Sequence, residues 1–172
     1  MAIDYRSLIR DIPDFPQTGI MFRDITPLLG NAQAYRASVL ALAEPFRDLG
    51  IDQVVAIEAR GYMLGCPLAL ELGVGFVPVR KAGKLPFNTY TAEYSLEYGE
   101  AAIEMHRDGL LSHHRVLLID DVLATGGTMA ATIDLVEQSG ATVAGIAVLI
   151  ELMALDGRSA LGARDVFSLI TL

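Results

Sequence analysis

The stretch Val116–Thr128, VLLIDDVLATGGT, contains the pattern that decides the fold of this chain. Four apolar residues lead into two adjacent acids, Asp120 and Asp121, and a Thr-Gly-Gly-Thr turn begins after three further residues. Adjacent carboxylates at the end of a buried strand repel each other and lose hydration. We therefore expect these two acids to face a ligand at the end of a strand.

Four short apolar runs, including the opening one, indicate strands: QVVAIE (53–58), VGFVPVR (74–80), RVLLID (115–120) and TVAGIAVLIEL (142–152). The segment DVFSLITL (165–172) indicates a final strand. Runs that are apolar on both faces are typical of parallel strands covered by helices on each side. Helical patterns alternate with them at 32–49, 65–72 and 126–139, the last with an apolar face formed by Met129, Ile133 and Val136. This alternation predicts a doubly wound α/β fold with a mainly parallel sheet flanked by helices.

Two segments depart from the alternation. Residues 12–30 carry three prolines and two glycines, which predicts an ordered loop, and a short helical stretch is expected near 5–10. Residues 81–109, rich in Tyr, Thr and Glu, predict a long loop or a two-stranded excursion that serves as an active-site lid. At 172 residues, the chain is expected to form a single domain over 1–172.

Composition excludes several classes of protein. The net charge of −8, from 13 basic and 21 acidic side chains, argues against a nucleic-acid surface. The longest apolar run, Val143 to Ile150, is too short to cross a membrane, and the N-terminus carries no export signal, so we expect a cytoplasmic protein. The single cysteine, Cys66, excludes an internal disulfide and is predicted to be a small core residue.

The Thr-Gly-Gly-Thr turn has the composition of an anion site. Gly126 and Gly127 allow successive amides to point at one anion, the hydroxyls of Thr125 and Thr128 add donors, and the following helix N-terminus is partly positive. No Gly-Lys-Thr/Ser follows, so the turn is not a P-loop. Carboxylates beside a phosphate site are suited to accept hydrogen bonds from hydroxyls. A ribose 5-phosphate supplies both groups.

These motifs resemble the signature of the type I phosphoribosyltransferases. The segments FRDITPLL (22–29), EARGY (58–62), VPVRKAGKLP (77–86), YSLEYG (94–99) and IEL (150–152) extend the resemblance over nearly the whole chain. It implies the fold of that family, with a flexible catalytic lid and a short N-terminal hood. It also implies that phosphoribosyl pyrophosphate and adenine react to give AMP and pyrophosphate.

The resemblance implies a set of site residues. Those for phosphoribosyl pyrophosphate and AMP are Asp120, Asp121, Ala124, Thr125, Gly126, Gly127 and Thr128. Those for pyrophosphate are Glu58, Ala59, Arg60, Arg80, Lys81 and Lys84, with a non-proline cis peptide expected at Glu58–Ala59. Those for adenine are Met21, Phe22, Arg23 and Leu152, and the catalytic residues are Glu97, Arg60 and Tyr98, with Glu97 as the acid/base carboxylate and Tyr98 in the lid.

The cofactor, the assembly and the alternatives follow from the same resemblance. Mg²⁺ is expected to be held mainly by the substrate, without direct protein ligands, and the family implies a homodimer with no nucleic-acid or membrane partner. One alternative is a phosphoribosyltransferase for another purine base. The other is a ligand-sensing regulator, which the acidic net charge and the lid segment disfavour.

Overall fold

The computed structural model describes residues 3–96 and 99–172, and the side chains of 95, 96, 99 and 100 are also outside the description. Its strands are β1 (Arg10–Ile12), β2 (Phe22–Asp24), β3 (Gln53–Ile57), β4 (Gly75–Lys81), β5 (Thr89–Leu96), β6 (Gly99–His106), β7 (Arg115–Leu123), β8 (Thr142–Glu151) and β9 (Val166–Thr171). Its α-helices are α1 (Thr26–Gly30), α2 (Ala32–Ala43), α3 (Arg60–Leu72) and α4 (Gly127–Gln138). Short 3₁₀ turns lie at Arg6–Leu8, Glu44–Phe46, Met153–Leu155 and Gly157–Leu161.

Seven of the strands form one sheet in the order β5-β6-β4-β3-β7-β8-β9. The pairs β4–β3, β3–β7, β7–β8 and β8–β9 are parallel, whereas the pairs β4–β6 and β5–β6 are antiparallel. The predicted doubly wound, mainly parallel α/β fold is therefore confirmed. The excursion expected after β4 is the two-stranded alternative, because β5 and β6 form a hairpin at the edge of the sheet.

Side-chain alternation along β7 explains why its sequence is apolar throughout. Val116 and Leu118 pack on the face covered by α4, while Leu117 and Ile119 pack on the face covered by α2 and α3. All four side chains are fully buried. A strand buried on both faces has no position for a polar residue until it reaches the edge of the core.

Residues 12–30 were wrongly predicted to lack regular structure. β1 pairs with β2 in a separate two-stranded sheet, and α1 follows directly. The pairing places Asp11 opposite Arg23 and Arg10 opposite Asp24, so opposite charges face each other across the two strands. These two cross-strand pairs are 12 and 14 positions apart in the chain, which is why local sequence patterns missed them.

The prediction for Cys66 was also wrong, because its side chain is exposed. Helix α3 begins at Arg60, earlier than expected, and buries Gly61, Leu64, Gly65, Leu68 and Ala69. These positions recur at the spacing of one helix face, and Cys66 lies off that face. None of the helices within the described ranges is long and apolar enough to span a membrane.

Candidate active site

The carboxyl ends of β3, β7 and β8 meet at one edge of the sheet and border a cavity of about 340 Å³. Ligands of open α/β sheets bind at this edge. Segments distant in the chain contribute its walls. The lining residues are Ile20, Met21, Phe22, Arg23, Ile57, Glu58, Ala59, Arg60, Lys81, Tyr94, Ile103, Asp120, Asp121, Val122, Ala124, Thr128 and Leu152.

The two acids of β7 form the polar floor of this cavity. Asp121 is buried, and its Oδ2 lies 2.8 Å from Nε of Arg60. This contact is an ion pair without hydrogen-bond geometry, since Oδ2 has no hydrogen-bond donor among the described residues. The Asp121 amide donates a 2.9 Å hydrogen bond to Oδ1 of Asp120, which fixes the Asp120 carboxyl against the backbone of the next residue.

Burial and like charge together perturb the titration of this pair. Loss of hydration, followed by repulsion from Asp121, raises the pKa of Asp120 well above its usual range. Burial also raises the pKa of Asp121, and the Arg60 cation opposes that rise. Both carboxyls therefore ionise reluctantly, and hydroxyl donors that bind them would favour the charged forms.

Gly61 allows helix α3 to approach these acids. A Cβ atom at this position would lie 2.9 Å from Oδ1 of Asp120 and 3.3 Å from the carbonyl oxygen of Ile119. Any side chain would displace either the carboxyl or the start of the helix. The EARGY segment contains this glycine, yet its role depends on the packing of α3 against β7, which sequence reasoning missed.

The loop between β7 and α4 borders a second, smaller cavity of about 80 Å³. Thr125, Gly126 and Gly127 line only this cavity, whereas Asp120, Val122, Ala124 and Thr128 line both. Gly126 has a φ of +85°, a conformation that side-chain-bearing residues rarely adopt. The loop thus combines an αL residue with a helix N-terminus, an arrangement suited to an anion.

Glu58 organises the predicted pyrophosphate residues. Its Oε2 accepts a 2.9 Å hydrogen bond from Nε of Arg80, and its Oε1 accepts one of 2.7 Å from the Lys81 amide. Burial alone would raise the pKa of Glu58, but these hydrogen bonds hold it below its usual range. The Glu58–Ala59 peptide bond is cis, as expected from the resemblance.

The three predicted basic residues of this segment occupy different positions. Lys81 lines the cavity, whereas Arg80 and Lys84 do not. Arg80 pairs with Glu58 and donates a 3.1 Å hydrogen bond to the carbonyl oxygen of Lys84. Arg80 therefore stabilises the segment internally, and Lys81 is the one of these three residues that lines the cavity.

The N-terminal hood, which consists of β1, β2 and the residues between them, supplies an aromatic wall. The Arg60 guanidinium lies 4.7 Å from the centroid of the Phe22 ring, and Phe15 packs edge-on against the same ring at 5.0 Å. Arg23 forms an ion pair with Asp11 across the β1–β2 sheet. The four residues predicted to bind adenine all line this cavity: Met21, Phe22, Arg23 and Leu152.

The lid predictions fall partly outside the described residues. Glu97 and Tyr98 lie outside the described residues. Tyr94 on β5 and Ile103 on β6 line the cavity and were not singled out as site residues. Tyr94 is part of the YSLEYG segment, which was the only signal for it.

Gly157 is a second residue that sequence reasoning missed. A Cβ on Gly157 would lie 2.3 Å from the carbonyl oxygen of Ala124, and a Cβ on Gly126 would lie 2.3 Å from the carbonyl oxygen of Gly157. The backbone of the 3₁₀ turn therefore packs directly on the backbone of the β7–α4 loop. No sequence motif linked the two segments.

The candidate metal ligands are few. Within the part of the chain that the structure describes, no group of three or more His, Cys, Asp or Glu residues could hold a metal ion. Two carboxylates, Asp120 and Asp121, lie on the cavity floor, and one oxygen of Asp121 lacks a hydrogen-bond donor. Such a set suits a Mg²⁺ ion bound mainly through substrate oxygens, the usual arrangement for this ion.

Comparison with known proteins agrees with this arrangement. Residues 31–171 match the model of the phosphoribosyl transferase domain. The chain therefore belongs to the phosphoribosyltransferase family.

Within that family, the similarity over nearly the whole chain is to adenine phosphoribosyltransferases. The chain is 59% identical to the adenine phosphoribosyltransferase of Nocardioides sp., covering 96% of this chain and 91% of that protein. The crystal structure of the Thermoanaerobacter pseudethanolicus enzyme superimposes with a TM-score of 0.96, at 50% identity and 98% coverage of both chains. The Saccharomyces cerevisiae enzyme, solved with an imino-altritol bisphosphate and adenine, gives a TM-score of 0.91 at 40% identity, with 96% of each chain covered.

Proposed function

We propose that this chain is a purine salvage enzyme that converts adenine and phosphoribosyl pyrophosphate into AMP and pyrophosphate. One observation carries the proposal. Two cavities that share lining residues bring together the acids of β7, the β7–α4 loop, a cation and an aromatic wall. The extensive identity with adenine phosphoribosyltransferases supports the choice of adenine.

The β7–α4 loop is proposed to hold the 5′-phosphate. Amides and hydroxyls of residues 125–128 surround the smaller cavity, and α4 begins there with its partly positive end. Asp120 and Asp121 then accept hydrogen bonds from the ribose hydroxyls. The shared lining residues support this division, because phosphate and ribose must occupy adjoining spaces.

The hood and Leu152 are proposed to hold adenine. Phe22 and Leu152 are apolar residues that line the main cavity, and Met21 and Arg23 line it as well. An aromatic face suits a flat purine ring. Sandwiching the base fixes the attacking nitrogen relative to the anomeric carbon, which lowers the entropic part of the barrier.

The departing pyrophosphate is proposed to lie near Glu58, Ala59, Arg60 and Lys81. The cations of Arg60 and Lys81 face the cavity, and Glu58 holds the Lys81 amide and Arg80 in place. As the bond to the leaving group breaks, positive charge develops on the ribose and negative charge on pyrophosphate. Preorganised cations stabilise that distribution more than they stabilise the bound substrate.

Two further groups complete the proposal. Glu97 is assigned the proton transfer at adenine, with Tyr98 in the closing lid, on the basis of the YSLEYG segment. Mg²⁺ fits the site described above: substrate oxygens would hold it above the floor formed by Asp120 and Asp121, and it would neutralise diphosphate charge.

We also infer a homodimer, a single domain over residues 1–172 and a cytoplasmic location. The family match over 31–171 and the coverage of full-length relatives support the single domain. The position of Lys84 outside the cavity of its own chain is compatible with a contact to a neighbouring subunit.

The test is pyrophosphate release from phosphoribosyl pyrophosphate and Mg²⁺, with adenine, hypoxanthine, guanine or orotate supplied separately. Release with adenine alone is expected. Release with another base would overturn the adenine assignment and keep the strand-end site. No release with any of the four bases would favour a regulator that binds phosphoribosyl pyrophosphate without turnover. The double variant Asp120→Asn with Asp121→Asn removes both proposed ribose contacts and is expected to abolish release.

A further inference from the structure

Glu151 is a buried acid at the end of β8 that the proposed reaction does not use. It is 3% exposed and accepts two hydrogen bonds from Arg158, of 2.6 Å from Nε to Oε1 and 2.7 Å from Nη2 to Oε2. The hydroxyl of Ser168 on β9 also donates to Oε2. Hydrogen bonds from Arg158, followed by that from Ser168, hold the pKa of Glu151 below its usual range, although burial opposes them.

This bidentate pair holds the start of the 3₁₀ turn Gly157–Leu161. Arg158 directly follows Gly157, and the fork of two parallel hydrogen bonds restricts both the distance and the orientation of the guanidinium. The far end of the turn is held by Leu161, which is 1% exposed in the core. Asp156, the residue before the turn, has a φ of +48°, so the chain changes direction sharply at the entrance to Gly157.

Gly157 in turn supports the β7–α4 loop. Its backbone packs against Ala124 and Gly126 so closely that neither glycine could carry a Cβ without a contact of 2.3 Å. A displacement of Gly157 would therefore remove the surface on which the loop rests. The connection runs from Glu151 through Arg158 and Gly157 to the loop, without any side chain of the pair lining the cavity.

We propose that Glu151 and Arg158 form a positioning pair for the 5′-phosphate, which keeps the backbone of residues 124–128 in its anion-binding conformation. The inference rests on the proposed function, since it assigns that loop to phosphate. The pair acts on binding of every ligand that carries the 5′-phosphate. It leaves the pyrophosphate residues unaffected, because Arg60, Lys81 and Glu58 are held by other contacts.

The experiment compares Arg158→Met with wild type in calorimetric titrations of AMP and, separately, of pyrophosphate with Mg²⁺. Arg47→Met is the matched control, because Arg47 also pairs with carboxylates, those of Glu44 and Glu71, and its hydrogen bonds do not reach the turn or the β7–α4 loop. We expect AMP affinity to fall about tenfold in Arg158→Met, with pyrophosphate affinity within twofold of wild type. In turnover assays, the KM for phosphoribosyl pyrophosphate should rise by a similar factor with little change in kcat.

Two results with Arg158→Met would overturn this role. One is an AMP affinity of Arg158→Met equal to that of Arg47→Met. The other is a parallel loss of AMP and pyrophosphate affinity, which indicates general loss of structure. If Arg158→Met does not fold, Arg158→Lys keeps the charge beside Glu151 and lacks the fork. A folded Arg158→Lys with wild-type AMP affinity would refute the positioning role, and a severalfold loss would support it. Failure of wild type itself to bind AMP would instead refute the proposed function.

Discussion

Gly61→Ala is the substitution whose effect follows most directly from the geometry of the site. The new methyl group would lie 2.9 Å from Oδ1 of Asp120 and 3.3 Å from the carbonyl oxygen of Ile119. Carbon–oxygen contacts this short are not tolerated in a close-packed interior. The strand carbonyl cannot move without breaking the sheet, so the Asp120 carboxyl or the first turn of α3 must shift by about 0.4 Å.

Two opposing terms set the stability of this variant. Overpacking costs about 2 kcal/mol, and the higher helix propensity of alanine returns about 1 kcal/mol. A net loss of about 1 kcal/mol lowers Tm by about 3 °C in a chain of this size, so the variant remains folded under assay conditions. The effect on catalysis is larger than the effect on stability, because a misplacement of a catalytic group by about 1 Å can lower the rate about 100-fold. We expect kcat/KM for phosphoribosyl pyrophosphate to fall about tenfold.

The assay is steady-state pyrophosphate release at varied phosphoribosyl pyrophosphate, combined with thermal unfolding of the same samples. Gly30→Ala is the control, since a Cβ at Gly30 meets nothing within 4 Å. It should leave both measurements unchanged. Wild-type kcat and KM in a folded Gly61→Ala would refute the argument that α3 packing positions Asp120.

The remaining predictions concern charged groups. Asp120→Asn should lower phosphoribosyl pyrophosphate affinity by about 10- to 100-fold, because charged hydrogen bonds to the ribose are lost. Since the pKa of Asp120 is raised above 3.8, wild type loses stability as pH rises from about 4 through that raised value. The Asn variant should therefore be more stable than wild type at pH 7 in thermal unfolding without ligand. Equal stability of the two proteins at pH 7 would contradict this. Arg60→Lys should lower kcat/KM about tenfold, because lysine lacks the planar group that contacts both Asp121 and Phe22; unchanged kinetics would exclude that dual role. Glu97→Ala should reduce kcat about 100-fold or more with a smaller effect on KM, measured in single turnovers, and normal turnover would remove Glu97 as the acid/base.

Local sequence patterns predicted most of the sheet. The strands near Val54, Val77, Leu118 and Ile146 are apolar on both faces, and the structure buries them between two helical layers. Helix α4 was also predicted closely, because Met129, Ile133 and Val136 form a continuous apolar face. Such periodicity is a local property of the chain, so it can be read without knowing which segments meet.

The hood illustrates why other elements were not predicted. β1 and β2 are three residues each, too short for an alternating pattern, and they are stabilised by pairing with each other. The predicted helix began at Gly65, and the earlier start of α3 at Arg60 was missed because Gly61 favours a turn locally. Both glycines are required because α3 packs tightly on β3 and β7, with neighbours within 3 Å of each missing Cβ.

The sequence alone predicted the kind of chemistry proposed for the site. Two acids after an apolar strand, followed by a Thr-Gly-Gly-Thr turn, led us to expect a strand-end site for a sugar phosphate, because donors and acceptors are encoded within 13 consecutive residues. The packing of the fold was needed to show how the other parts of the candidate site are held: Gly61 beneath Asp120, Arg80 paired with Glu58, and Gly157 against the β7–α4 loop. The physical reason is that these contacts join segments that lie 22 to 59 positions apart, so their geometry exists only after the strands and helices have packed.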